Sequence, residues 1–115
     1  MSDSMYPSST SEIRKARREA APEIDEAFRA FSRAVFAEGQ LSKKTKQLIA
    51  VAVAHVTQCP YCIRGHVEGA KREGATREEL MEAIWVAAEM RAGGAFAHST
   101  IALDAFGVGH THTHE

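Results

Sequence analysis

Residues 42–74 read SKKTKQLIAVAVAHVTQCPYCIRGHVEGAKREG, and this stretch decides the fold. Ser42 is a residue type that caps helix N-termini. Residues 48–56 behind it are apolar on nearly every side, the pattern of a buried helix. Gln58 and Pro60 bracket a turn, and proline suits the first turn of a helix, where its missing N–H costs nothing. A second helix is expected from about residue 60 to 72, with Gly74 as its C-cap signal. The stretch therefore predicts a helical hairpin with Cys59 and Cys62 at its joint.

Working outward, residues 1–10 are Ser-rich, lack periodicity and are expected to be loosely held. Residues 11–20 are charged and suit a short helix in which Ile13 is the only large apolar side chain. Pro22 opens the next helix. Ile24, Phe28, Phe31 and Val35 recur there at helical spacing, Glu23, Asp25 and Glu26 complement the dipole, and Gly39 is a stop signal. Beyond the hairpin, Thr76 and Glu79 form a T-x-x-E capping box. Leu80, Ile84, Ala87 and Ala88 give the following helix a stripe to bury. Gly93-Gly94 predicts a break, then a last helix over about 95–106 anchored by Phe96, Leu103 and Phe106. No segment reads as a strand, since Val51 and Val53 lie inside a helical run, and no repeat is seen. The expectation is all-α: a single-domain helical bundle of five to six helices on a central hairpin. Residues 1–20 form a mobile or partly helical extension, 21–107 the domain, and 108–115 a His-rich tail.

Composition narrows the function. The 115 residues carry 14 basic and 15 acidic side chains, a net charge of −1, so no basic excess points to nucleic acid or to a membrane surface. The apolar run 48–54 is far shorter than the roughly 18 residues of a membrane span, and residues 1–10 lack the apolar run of a signal peptide. A cytoplasmic location is expected. A chain this short buries only about two-thirds of its unfolded surface, so contacts between copies would help it. Two cysteines alone are no disulfide framework. In a reducing compartment such a pair is redox-active, catalytic or metal-binding.

The chemistry is expected at Cys59-x-x-Cys62-x-x-x-His66. A C-x-x-C pair at a helix start can reach disulfide distance with little strain, and the helix N-terminus favours a thiolate. Cys62 and His66, four apart, share a helix face, so the histidine can take the thiol proton. Two thiolates and an imidazole are also good zinc ligands, but a structural site needs a fourth. Either cysteine can be the nucleophile. His66 favours Cys62, while the helix start favours Cys59.

KTKQLIAVAVAHVTQCPYCIRGH, continued by GATREELMEAIWVAAEMRAGG, resembles the alkylhydroperoxidase D-like, or carboxymuconolactone decarboxylase, superfamily from about residue 41 to 106. The resemblance implies an all-α fold on a helical hairpin, a homotrimer or homohexamer, and thiol-dependent peroxide reduction in the cysteine-bearing branch. The decarboxylase branch lacks the cysteine pair, which argues against lactone decarboxylation here. The peroxidase pattern places a relay glutamate twelve residues before the first cysteine, where this chain has Gln47. It places a histidine between the cysteines, where this chain has Tyr61. Glutamine hydrogen-bonds but carries no proton at neutral pH. Other candidates for the relay are His55, Glu89 and His98, with Glu68 more simply a solvated residue. His55 interrupts an apolar run and can equally be satisfied by a backbone carbonyl. Glu89, beside the buried stripe, needs a partner such as Arg91.

In the tail, His110, His112 and His114 alternate with threonine and would point to one side of an extended chain, a candidate transition-metal site. No residue pattern asks for a cofactor. The leading expectation is a thiol-dependent antioxidant peroxidase that takes a hydroperoxide substrate and a dithiol or thiol-reductase electron donor. The alternatives are a disulfide-exchange or redox-sensing module, and a metal-binding protein using Cys59, Cys62 and His66, with or without the tail histidines.

Overall fold

The structure, a computed structural model, describes residues 5–109. The expectations for residues 1–4 and for His110, His112 and His114 lie outside the described residues. Five helices follow in order: α1 (Ser11–Ala20), α2 (Pro22–Phe36), α3 (Lys43–Thr57), α4 (Pro60–Arg72) and α5 (Arg77–Phe106). The described residues contain no strand, so the fold is all-α as the periodicity requires.

The helix ends follow local chemistry. The Ser42 hydroxyl accepts the Thr45 N–H at 3.1 Å and so starts α3. Thr76 and Glu79 make the reciprocal capping box of α5. Pro22 and Pro60 open α2 and α4. Helix α4 ends before Gly74, whose φ of 89° needs glycine. Helix α2 stops at Phe36, ahead of Gly39. Lys46 from α3 supplies the missing cap, its Nζ donating to Val35 O at 2.8 Å and to Ala37 O at 2.7 Å. Basic side chains serve the last carbonyls of a helix well.

One expected helix end fails. Gly93-Gly94 does not break the chain, and α5 continues for 30 residues, about 45 Å at about 1.5 Å per residue. Glycine costs roughly 1 kcal/mol in a helix but keeps its N–H donor, unlike proline, so the ladder survives both. The stop falls at Gly107, in the left-handed region at φ 106°. A left-handed glycine is a common helix terminator.

Helix α3 is the centre, with α4 and α5 packed on it, α2 touching it lightly and α1 resting on α2. Lys44 on α3 bonds Glu79 on α5 at 2.9 Å, and Arg91 on α5 donates to Val56 O at 2.8 Å. The buried apolar side chains are few: Val51 and Ala54 of α3, Ala70 of α4 and Ala87 of α5. Around them Ile24, Phe28 and Phe31 of α2, and Trp85, Phe96 and Phe106 of α5, stay exposed. Phe96, Leu103 and Phe106 are therefore not anchors within the described chain, which leaves all three exposed. The radius of gyration is 20.4 Å, against roughly 13 Å for a compact domain of about this size.

Candidate active site

The joint between α3 and α4 is two residues long. Gln58 takes the left-handed conformation, with φ 62° and ψ 47°. That region is uncommon for a residue with a side chain. It lets both Gln58 N–H and Cys59 N–H reach Ala54 O, at 2.8 and 3.2 Å. The reversal leaves Cys59 as the N-cap of α4, where its Sγ accepts the Cys62 N–H at 3.3 Å. A sulfur thus holds the position that Ser, Thr or Asp usually fills.

Both cysteines are free thiols, Cys59 half-buried and Cys62 exposed. Their electrostatics differ. The hydrogen bond from the Cys62 thiol holds Cys59 below the usual thiol range, helped by the Cys62 backbone N–H, opposed by burial, and helped least by the Tyr61 N–H. Cys62 is pushed up, first as the donor of that bond, then by burial and by the Cys59 charge. The pair therefore shares its first proton loss, with negative charge favoured on Cys59.

His66 follows Cys62 by one turn and is built in by three helices. Phe36 of α2 stacks on its ring, with centroids 4.9 Å apart and planes inclined at 26°. Gln47 of α3 places Oε1 2.9 Å from its Nδ1. Gly69 of α4 makes room for that amide, for a Cβ there would lie 2.5 Å from Gln47 Oε1 and 2.7 Å from its Cδ. Burial lowers the imidazole pKa below its ordinary 6.5.

Two cavities meet at Cys62 and His66. One, of about 370 Å³, is walled mainly by Val35, Phe36, Ile49, Ala50 and Val53. The other, of about 490 Å³, has Arg33, Gln47, Tyr61 and Arg72 in its wall. The charged residues of the two walls are Lys46, Arg33 and Arg72, and among the described residues no carboxylate lines either.

Of the sequence candidates, the structure gathers Cys59, Cys62, His66 and Gln47 and leaves the others apart. His55 Nδ1 lies 2.8 Å from Val51 O, within its own helix. His98 is exposed, with Nδ1 2.8 Å from Gly94 O. Glu89 is exposed rather than set among apolar side chains, and it folds back over Gly93, while Arg91 serves Val56 O. Glu68 lines a separate cavity with Arg64 and Ser9. Among the described residues, no three His, Cys, Asp or Glu side chains are grouped to hold a metal ion, Cys59, Cys62 and His66 included. Sequence reasoning missed Phe36, Lys46 and Gly69. A glycine inside a helix, three residues after His66, was the readable sign of a close approach.

The sequence model of the carboxymuconolactone decarboxylase family matches residues 22–105. The chain belongs to the carboxymuconolactone decarboxylase family. The match takes in α2, α3, α4 and all but the last residue of α5, hence every residue of the site. Similar proteins include the uncharacterized protein 4 of the cox locus of Paracoccus denitrificans, 62% identical over 90% of this chain and 92% of that one. A carboxymuconolactone decarboxylase family protein from Legionella pneumophila is similar in structure, with a TM-score of 0.63 at 40% identity over 77% of this chain and 80% of that one. Another, from Thermotoga maritima, for which an antioxidative response is the suggested role, gives a TM-score of 0.54 at 28% identity over 74% of this chain and 97% of that one. Within the carboxymuconolactone decarboxylase family fold, α4 thus brings one thiol, Cys62, and one imidazole, His66, to two cavities, with the second thiol at the N-cap behind them. No described helix is long and apolar enough to cross a membrane.

Proposed function

We propose that the protein is a thiol-dependent peroxidase in which Cys62 attacks the hydroperoxide, Cys59 resolves and His66 carries the proton. The observation that supports this best is the division of labour at the α3–α4 joint. Cys62 faces both cavities with His66, whereas Cys59, half-buried at the N-cap, is the more acidic thiol. The antioxidative role suggested for the Thermotoga relative points the same way.

In the proposed cycle His66 takes the Cys62 proton. The thiolate forms a bond to the outer peroxide oxygen as the O–O bond breaks, which oxidises Cys62 to a sulfenic acid and releases an alkoxide. The imidazolium protonates that alkoxide to the alcohol. The Cys59 thiolate then attacks the Cys62 sulfur, expelling hydroxide, which takes up a proton to leave as water, and a disulfide forms. An external dithiol or thiol reductase supplies two electrons and two protons to restore both thiols. An acidic resolving cysteine shortens the life of the sulfenic acid, and a raised pKa at the attacking cysteine makes a nearby base necessary.

A second reading is favoured by one observation, the lack of any carboxylate among the described residues of the cavity walls. The site would then exchange disulfides and react slowly with peroxide. Stopped-flow loss of free thiol from the reduced protein separates the two. A peroxidase loses both thiols far faster than free cysteine does, Cys59→Ser accumulates a dimedone-reactive sulfenic acid on Cys62, and Cys62→Ser loses at least about 100-fold in rate. A wild-type rate no faster than free cysteine would leave disulfide exchange.

Self-association belongs to the proposal. The accessible surface is 9061 Å², against roughly 6,200 Å² for a compact monomer of 12.5 kDa. Exposed apolar faces of this extent mark contact surfaces. A cytoplasmic homotrimer or homohexamer would cover them, and native mass spectrometry reads the number of copies.

A further inference from the structure

Gln47 touches His66, yet it can neither accept nor release a proton at neutral pH. Its structural setting gives it a different task. The amide lies in the notch left by Gly69, with Oε1 2.9 Å from His66 Nδ1, while Phe36 stacks on the ring and fixes its plane. A carbonyl oxygen can only accept, so the imidazole nitrogen facing it must carry the hydrogen. In a neutral ring the other nitrogen then holds the lone pair.

We propose that Gln47 is the positioning residue that sets the tautomer of His66, holding the hydrogen on Nδ1 and keeping Nε2 as the nitrogen able to take the Cys62 proton. The inference deepens the thiol-peroxidase reading and rests on it for the use made of that nitrogen. Were the amide reversed, its NH₂ would donate to Nδ1, the ring hydrogen would sit on Nε2, and neutral His66 would have no lone pair left for the thiol.

The surroundings fit a ring that rests neutral. Phe36 and Arg33 reach the site from α2, Lys46 and Gln47 from α3, and Cys62 and Arg72 from α4, whereas α5 adds nothing to either cavity wall. All three formal charges in the cavity walls are positive, and positive charge disfavours an imidazolium; a Cys59 thiolate would act in the opposite sense but lines neither wall. Glutamate at residue 47 would keep the acceptor but add a negative charge beside Nδ1. Its effect would be to raise the imidazole pKa and hold a charged ring. Gln47 thus separates two properties that a carboxylate would combine: it orients the ring without charging it.

Long-range ¹⁵N–¹H correlation spectra of the reduced protein read this directly, with the His66 signals assigned by their absence in His66→Asn. The wild type is expected to show Nδ1 protonated and Nε2 bare at about pH 7.5, above the ordinary imidazole pKa. Gln47→Leu removes the acceptor, and Gly69→Ala displaces the amide by crowding the far end of a flexible side chain. Both are expected to shift His66 toward the Nε2–H form and to slow Cys62 alkylation near neutral pH by about tenfold, below the full effect of a positioned base. Gln47→Glu is expected to retain the Nδ1–H signature and raise the titration midpoint of His66. An Nε2–H ring in the wild type, or an unchanged His66 spectrum in both Gln47→Leu and Gly69→Ala, overturns the proposal. No peroxide enters these spectra, so a slow peroxide reaction beside an intact Nδ1–H signature counts against the peroxidase reading and not against the role of Gln47.

Discussion

The α3–α4 joint and the outer half of α5 are stabilised by different means. At the joint, one reversal at Gln58, one sulfur cap at Cys59 and one glycine notch at Gly69 bring three helices together around His66. Along α5 beyond Arg91, Phe96 and Phe106 are 79% and 84% exposed. A helix this long with bare aromatic side chains gains little stability from its own chain, because most helical stability comes from packing an apolar face. The contrast teaches that the proposed chemistry and the proposed assembly fall on different parts of the chain: the joint gathers its side chains from α2, α3 and α4 of one copy, while α5 and α2 leave apolar side chains bare.

The contrast can be broken most severely at α2. Phe28 and Phe31 are 66% and 64% exposed. Replacing both by aspartate is expected to weaken self-association by roughly 4 kcal/mol or more, about 1,000-fold, if each aromatic anchor contributes about 2 kcal/mol. Sedimentation would show smaller species, and unchanged association would refute a contact role for this face. Next in size, Val51→Ala should cost about 2 kcal/mol in denaturant unfolding, from lost burial and the cavity left behind. Val51 is the one large side chain fully buried within the described chain. A loss under about 0.5 kcal/mol, typical of surface sites, would mean that the α3 centre is not the core.

A smaller effect should come from acid. Burial depresses the His66 pKa below 6.5, so below that value the unfolded chain takes up a proton before the folded one does. Stability should therefore fall as pH drops from about 6.5 toward the folded-state pKa and show no further loss from this group below it. In His66→Asn that pH-dependent loss should vanish, and its persistence would assign it to another group. The least effect is expected at Gln58. Glycine relieves the left-handed strain, worth about 1–2 kcal/mol, but costs about 0.5–1 kcal/mol in chain entropy. Gln58→Gly should raise stability by at most about 1.5 kcal/mol on that balance. A clear loss would show that the side chain matters, through its Nε2 contact with His55 O.

Much of the fold was legible because its signals were local. Ser42, Pro60, Thr76 and Glu79 mark helix ends through groups within a few residues of one another. The hairpin and its cysteine joint followed from them, and so did the i, i+4 pairing of Cys62 with His66. The tertiary features were not legible. The stacking of Phe36 on His66 and the reach of Lys46 to the end of α2 depend on how α2 meets α3, which no spacing encodes. The Gly93-Gly94 break was misread because two glycines weaken a helix without removing a donor. The exposure of Glu89 was not legible either, because periodicity alone does not tell a stripe facing a core from one that the described chain leaves open.

The sulfur cap has a mechanical side. In the reduced protein the Cys59 sulfur fastens the first turn of α4 by accepting the Cys62 N–H. Ionisation of Cys59, which its lowered pKa favours, strengthens that fastening, since hydrogen bonds to an ionised acceptor are about twice as strong as neutral ones. A disulfide to Cys62 removes the charge and leaves a weaker acceptor. On the proposed cycle the helix end would be tightest when the pair is reduced and would slacken on oxidation, which would make exchange of the Cys62 amide hydrogen a gauge of oxidation state.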